Sequence, residues 1–394
     1  MRHICYFTIL IGILTSLGVS AEQAPPVVLW EKDVEYPETR IPSLIVTQKG
    51  TILAFAEGRE GRSDAGDIDL VMKRSADNGK TWSEQAIVWD DAGNTCGNPC
   101  PVVDESTGRI ILFMTWNPGH DGKGSLTDEE MEAAIRAERR PYMCYSDDDG
   151  LTWSEPVDMT EVCKAADWGW YATGPGVGIQ LKSEKYKGRL IIPANHNYAL
   201  DQLRHRVIRG EQGRGAHVLI SDDGGETWRI SESIIPGCNE SQVVELSDGR
   251  LMMNMRSYNG LPCRAVAYSE DGGETWSEVY HSYQLPDEQV QASFIKYGEY
   301  GKDSMYLFSN PGNPWDRKFM TIKASFDECR TWSNEKLVYA GESAYSCMAV
   351  LPNGNIGLLF EGGKSFRHET VSFVSIHPDE LFTPGTYLKL GDLP

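Results

Sequence analysis

The sequence predicts an all-β fold assembled from repeated small sheets, and three observations predict it. One eight-residue pattern recurs five times, a strand-like run precedes each copy, and the copies start 71, 75, 48 and 56 residues apart. That spacing suits one pattern per sheet with connections of variable length.

The first copy runs from Ser75 through Asp77, Gly79 and Thr81 to Trp82. Ser146, Asp148, Gly150, Thr152 and Trp153 repeat it, then Ser221, Asp223, Gly225, Thr227 and Trp228, then Ser269, Asp271, Gly273, Thr275 and Trp276. The fifth copy keeps Ser325, Asp327, Thr331 and Trp332 but carries Cys329 in the glycine's place. Each reads as a hairpin turn: the aspartate accepts nearby backbone N–H groups, the glycine supplies a positive φ, and the tryptophan folds back as an apolar plug. The runs Ile68 to Arg74 and Ala216 to Ile220 are the strands that lead into two of these turns.

The chain opens like an export signal. Arg2 and His3 precede an apolar run from Ile4 to Leu17, and Val19, Ser20 and Ala21 offer a cleavage site, so residues 1–21 are expected to leave. The run is shorter than the about 20 residues a spanning helix needs, and no stable membrane insertion is expected. Residues 22–394 are expected to form one domain, exported to the periplasm or the medium. The net charge of −20 argues against nucleic acid, which is bound through Lys and Arg, and suggests a soluble monomer. An anionic ligand would need arginines gathered in one place, so that the local field opposes the net charge. Eight cysteines follow the signal, and their pairing stays open. Cys96 and Cys100 have no second half-site, so no metal is expected, and no phosphate-binding glycine-lysine loop or His-Glu-x-x-His motif points to a cofactor.

The repeated pattern resembles the Asp-box, or BNR repeat, of sialidases, with the likeness running from about residue 36 to 385. It implies a six-bladed β-propeller whose boxes lie on the rim away from the active face. Binding propellers such as sortilin-type receptors carry boxes too, so chemistry has to be sought in other residues.

A sialic acid carries an ionised carboxylate on its anomeric carbon, and arginine is the side chain that stays charged and grips a carboxylate with two parallel bonds. Arg40 before Ile41 and Pro42, Arg256 at the end of an apolar run, and Arg317 after Asp316 together resemble the sialidase arginine triad. The same carboxylate repels an Asp or Glu nucleophile, whereas a neutral phenol with a neighbouring base avoids that repulsion; sialidases are a known exception of this kind among glycosidases. The resemblance puts Tyr345 as nucleophile and Glu240 as its base. Glu245, five residues on, is the rival and points to the opposite face of an extended strand. A hairpin turning at Ser247 to Arg250 would return Glu240 and Arg256 to one end of a sheet.

Asp64 matches the family's acid/base position, in an irregular stretch from Gly58 to Gly66 that reads as a loop over the pocket. Burial under substrate is expected to raise its pKa. Asp67 and Asp69 belong to the start of the next strand. Glu361 matches the residue that orients Arg40. Arg59 is a further pocket candidate, Arg62 a weaker one, and the stretch Trp168 to Gln180 reads as an aromatic lip. The resemblance therefore implies an exo-sialidase that removes terminal sialic acid from glycans with retention. Two rivals stay open: a trans-sialidase or anhydro-forming relative, and a binding propeller without catalysis.

Overall fold

The computed structural model describes residues 26–119, 139–198 and 213–382. The expected export signal lies outside them. Strands account for nearly all regular structure, arranged as antiparallel meanders in which each strand hydrogen-bonds to the next. The first is β2 (Glu38–Val46), β3 (Ile52–Arg59), β4 (Ile68–Ser75) and β5 (Ala86–Trp89). Next come β6 (Thr95–Val103), β7 (Ile110–Asn117), β8 (Arg140–Ser146) and β9 (Val157–Asp158). The third unit joins β10 (Trp168–Thr173) and β11 (Ile179–Gln180), both on β12 (Leu190–Tyr198), to β13 (Arg214–Ser221) and β14 (Arg229–Ile230). The fourth is β15 (Cys238–Glu245), β16 (Leu251–Ser257), β17 (Cys263–Ser269) and β18 (Tyr280–Pro286).

The remaining strands are β19 (Ser293–Tyr300), β20 (Asp303–Pro311), β21 (Lys318–Ser325), β22 (Asn334–Val350), β23 (Ile356–Gly363) and β24 (Thr370–Ile376). The long β22 serves two meanders: its first half pairs with β21 and its second with β23. The first described strand, β1 (Val27–Glu31), pairs with β24, so the two ends of the described chain are zipped into one sheet. β1 thereby covers the edge of β24 and itself forms the edge of that sheet.

The core lies between successive meanders. Ile191 and Val218 of the third pack with Met253 and Ala265 of the fourth, and Ala54 and Val71 of the first pack with Leu359 and Phe373 of the last sheet. The box turns fasten these faces. Ser75 Oγ donates to Asp77 Oδ1 (2.9 Å) and accepts the Gly79 amide (2.9 Å), while Asp77 takes the amides of Lys80 and Thr81 (3.0 and 2.9 Å) and the Thr81 hydroxyl (2.6 Å). Trp82 then reaches back to the Gly79 carbonyl (3.1 Å) and packs edge-on against Phe373 of the neighbouring sheet. Trp153 meets Phe55 and Trp228 meets Phe113 in the same way. In the fifth box Cys329 takes a φ of 61° and still donates its amide to Ser325 (3.1 Å), so the turn survives the loss of glycine. All eight cysteines of the described residues are buried and free.

Strand register fixes which end of each sheet carries what. In the first meander Arg40 pairs with Glu57 at one end, whereas Ile52 pairs with Ser75, the first residue of the box, at the other. At roughly 3.3 Å per residue, the five residue steps from Ile52 to Glu57 put the two ends about 17 Å apart. The end away from the boxes carries the site.

Candidate active site

Four strands reach the site with the same irregularity. Register slips between Arg40 and Ser43 in β2, Gly97 and Cys100 in β6, Cys238 and Ser241 in β15, and Ser343 and Ser346 in β22. Such bulges insert a residue and re-aim side chains, and here Arg40, Asn98, Glu240 and Tyr345 lie at or inside them. Two bulge residues adopt left-handed backbone: Asn98 (φ 52°) and Ile41 (φ 58°). For β-branched Ile41 this is strained, at a cost of about 1–3 kcal/mol. Its amide is held by Glu361 Oε1 at 2.8 Å, and its side chain packs with Val290, Ala344 and Tyr345.

At the centre, the Tyr345 hydroxyl donates to Glu240 Oε1 at 2.6 Å and accepts from Arg256 at 3.1 Å. Arg256 also pairs with Glu240 Oε2 at 2.7 Å. Arg40 lies over the Tyr345 ring, 5.1 Å from its centroid. Burial and the Glu240 charge push the phenol well above the ordinary tyrosine range, against the pull of Arg256, Arg40 and Arg317. Glu240 and Arg256 sit at the same end of the β15–β16 hairpin, where Cys238 pairs with Ser257. Glu245 is at the far end, accepting the amides of Lys182 and Ser183 (2.7 and 2.9 Å).

Glu361 is fully buried in β23 and holds the other side of the tyrosine. Its two oxygens take the amides of Ile41 and Tyr345 (2.8 and 3.1 Å), and it lies 3.3 Å from Arg40 Nε. Burial would raise its pKa, but Arg40, His368 and the two amides outweigh burial and hold it at about 2. Arg317 is bound by Glu288 (3.2 Å) and the Gln289 carbonyl (2.9 Å), and its own carbonyl receives the Ser343 amide (2.9 Å), two residues before Tyr345. Arg256 and Arg40 thus meet one phenol directly, and the Arg317 charge acts on it more weakly, without a bond.

Asp64 lies on the loop between β3 and β4, with its side chain 62 % exposed, 3.0 Å from Arg59 and 3.7 Å from Arg40. Burial pushes its pKa up, but Arg59, Arg40 and Arg139 outweigh that and hold it at about 2; the rise expected from the sequence belongs to the site covered by substrate. Arg59 is itself buried, gripped by Glu57. Asp69 instead faces Tyr36 (2.7 Å), behind the sheet, and exposed Arg62 lies over Phe366.

A model of the BNR repeat-like domain matches residues 50–358. The sialidase of Micromonospora viridifaciens is 33% identical over 347 residues, 84% of this chain and 51% of that protein, so the chain spans about half of that relative's length. The exo-alpha-sialidase of Aspergillus fumigatus is 33% identical over 365 residues, 87% of this chain and 82% of that protein. The chain belongs to the sialidase family. Among solved structures, the Hadza microbial sialidase Hz136 superposes with a TM-score of 0.74 at 30% identity, covering 88% of this chain and 67% of that one.

The cavity of this sialidase-family chain, about 200 Å³, opens over Tyr345, Glu240, Arg256, Arg59 and Asp64 and extends along a wall of Asn98, Arg139, Trp170 and Asn195. Sequence reading picked out Trp170 within its aromatic stretch and missed the other three. Trp168, half-buried, stacks on the buried ring of His196 and is not among the cavity's lining residues. Glu57 was also missed: besides gripping Arg59 it accepts the Asn98 amide at 2.7 Å, tying the first meander to the second. Its place two residues before Arg59, both on one face of an extended strand, was the available signal.

Proposed function

We propose that this chain is an exported exo-α-sialidase that hydrolyses terminal sialic acid from sialylated glycans with retention. The observation that carries the reading is the 2.6 Å hydrogen bond from Tyr345 to Glu240 with Arg256 and Arg40 against the same phenol. In this scheme Arg40, Arg256 and Arg317 bind the sugar carboxylate and Glu361 orients Arg40. Tyr345 attacks the anomeric carbon as its proton passes to Glu240, Asp64 protonates the departing oxygen, and water activated by Asp64 then releases the sugar. A pKa of about 2 leaves Asp64 ionised before substrate binds, the state a base requires, and both steps call for it to rise towards the working pH. For the first step, the substrate carboxylate on Arg40 weakens that cation's hold, and exclusion of water raises the acid further.

The scaffold in this reading is a single-domain, six-bladed propeller over residues 22–394 with residues 1–21 removed on export, acting as a monomer. Support for the blade count comes from the meanders, from the division of β22 between two of them, and from the β1–β24 pairing.

The test is purified protein with an aryl α-sialoside and with sialyl-lactose, followed by proton NMR. Free sialic acid appearing first as its α-anomer supports retaining hydrolysis. A first-formed β-anomer rejects retention, an anhydro or transferred product replaces hydrolysis with the rival chemistry, and no turnover from pH 4 to 8 rejects the enzyme.

A further inference from the structure

Arg139 is the one buried arginine of the cavity wall that bonds no carboxylate among the described residues; Asp64, Glu57 and Glu240 act on it only through their charge at longer range. It is 2 % exposed, and every bond it makes goes to a neutral oxygen. Nε donates to the Tyr171 carbonyl (2.7 Å), one terminal nitrogen donates to the Asp64 carbonyl (3.1 Å) and Asn117 Oδ1 (3.0 Å), and the other donates to Asn98 Oδ1. Its guanidinium also lies 4.0 Å from the centroid of Trp170. A cation buried without its own counterion is costly, and a surrounding of well-placed acceptors only partly offsets that. Burial accordingly lowers its pKa to about 10, which still leaves it charged at neutral pH.

The contacts of Arg139 gather three meanders onto one loop. Asn98 and Asn117 belong to the second, Trp170 and Tyr171 to the third, and the Asp64 carbonyl to the loop of the first. Asp64 otherwise rests on Arg59 and Arg40, two groups the first of which is gripped by Glu57 and the second of which is assigned to the substrate. The backbone of an exposed acid therefore hangs from a rigid, planar donor set at the wall of the pocket.

We propose that Arg139 is a positioning residue for proton transfer by Asp64, fixing the loop backbone so that the carboxyl is held at the departing oxygen. This rests on the reading of Asp64 as the acid. Acid assistance matters in proportion to the basicity of the leaving group. A sugar alkoxide needs the proton, whereas an aryl oxide departs with little help.

The experiment compares Arg139→Gln, Arg139→Lys and Asp64→Ala with the parent on sialyl-lactose and on 4-methylumbelliferyl sialoside, with circular dichroism and melting recorded for each. General acid catalysis contributes about 10²–10⁴-fold, so Arg139→Gln should lose on the order of 10²-fold in kcat/KM on sialyl-lactose, the quantity that reports the first displacement and excludes the release step in which Asp64 acts as base for both substrates. On the aryl substrate the loss should be only a few-fold, and Arg139→Lys should recover part of the difference. Equal loss on both substrates, or no loss, overturns the proposal in favour of a purely structural arginine. If Arg139→Gln does not fold, the same comparison is read on Arg139→Lys, where equal effects on both substrates again overturn it. A parent that cleaves sialosides, beside an Asp64→Ala variant with no leaving-group dependence, overturns it by removing Asp64 as acid. A parent inert on both substrates rejects the enzyme itself.

Discussion

Tyr345 and Glu240 lie 105 residues apart, on β22 and β15, and are joined by a 2.6 Å hydrogen bond from phenol to carboxylate. Arg256 bridges the pair, bonding both the phenol oxygen and the second carboxylate oxygen. A proton leaving the phenol therefore has one acceptor in line, and the developing charge on the phenol oxygen has a fixed donor.

From that relationship, Glu240→Gln should lose about 10²–10⁴-fold in kcat, the range for removing a general base. Tyr345→Phe should lose at least as much while titration calorimetry still detects sialic acid, because the three arginines remain. Full turnover by Tyr345→Phe would remove the nucleophile, and loss of binding with turnover would make the ring a packing residue.

Glu361 offers a test of stability. It is the carboxylate that answers buried Arg40, so Glu361→Gln leaves that cation without its strongest partner, and removal of one member of a buried pair costs about 3–5 kcal/mol. Its pKa is lowered on folding, from an ordinary value of about 4.3 to about 2. The native contribution is therefore complete above the ordinary value and is lost as pH falls through the folded one. The gap in denaturation midpoint between parent and Glu361→Gln should be full at pH 6 and shrink towards pH 3. A gap independent of pH would mean that the carboxylate's charge is not what stabilises.

The parts of this site that were legible in the sequence are those with a local signature. Box turns repeat within eight residues because one hairpin needs aspartate, glycine and tryptophan at set offsets, and Arg40 announces itself by the Ile41 and Pro42 that follow. Arg139, Asn98 and Asn195 have no such frame. Asn98 sits in a bulge, where a single inserted residue leaves no periodicity to read, while Asn195 and Arg139 come to it from the regular strand β12 and from the residue before β8. The acidity of Asp64 in the open site was not legible for a related reason. Its sequence neighbours Ser63, Ala65 and Gly66 are neutral, and two of the three cations that set its pKa come from elsewhere in the chain, Arg40 from β2 and Arg139 from the residue before β8.

Asp69 supplies a stability test of opposite sign. Burial behind the first sheet raises its carboxyl to about 6, against the Tyr36 hydroxyl that bonds one oxygen, while the other oxygen has no partner. With the folded pKa above the unfolded one, stability is greatest at low pH and declines as pH rises through about 6. Asp69→Asn keeps an acceptor for Tyr36 and removes the charge. Its melting temperature relative to the parent should therefore improve steadily from pH 4 to pH 8. A difference that stays flat across that range would show that Asp69 titrates normally.

The box glycines test how the sheets are locked together. Gly79 has a φ of +82°, and a Cβ there would stand 2.1 Å from the Phe373 ring of the adjoining sheet. Gly79→Ala must either turn the backbone out of the left-handed region or push Phe373 from its contact with Trp82, and overpacking of this kind costs about 1–3 kcal/mol. Gly93, with open space around its would-be Cβ, is the control. The expected result is a lower melting temperature for Gly79→Ala, none for Gly93→Ala, and unchanged turnover per folded molecule at 25 °C for Gly79→Ala, since the box and the tyrosine occupy opposite ends of the strands. An altered kcat in Gly79→Ala at full folding would show that the locks between sheets also set the geometry around Tyr345.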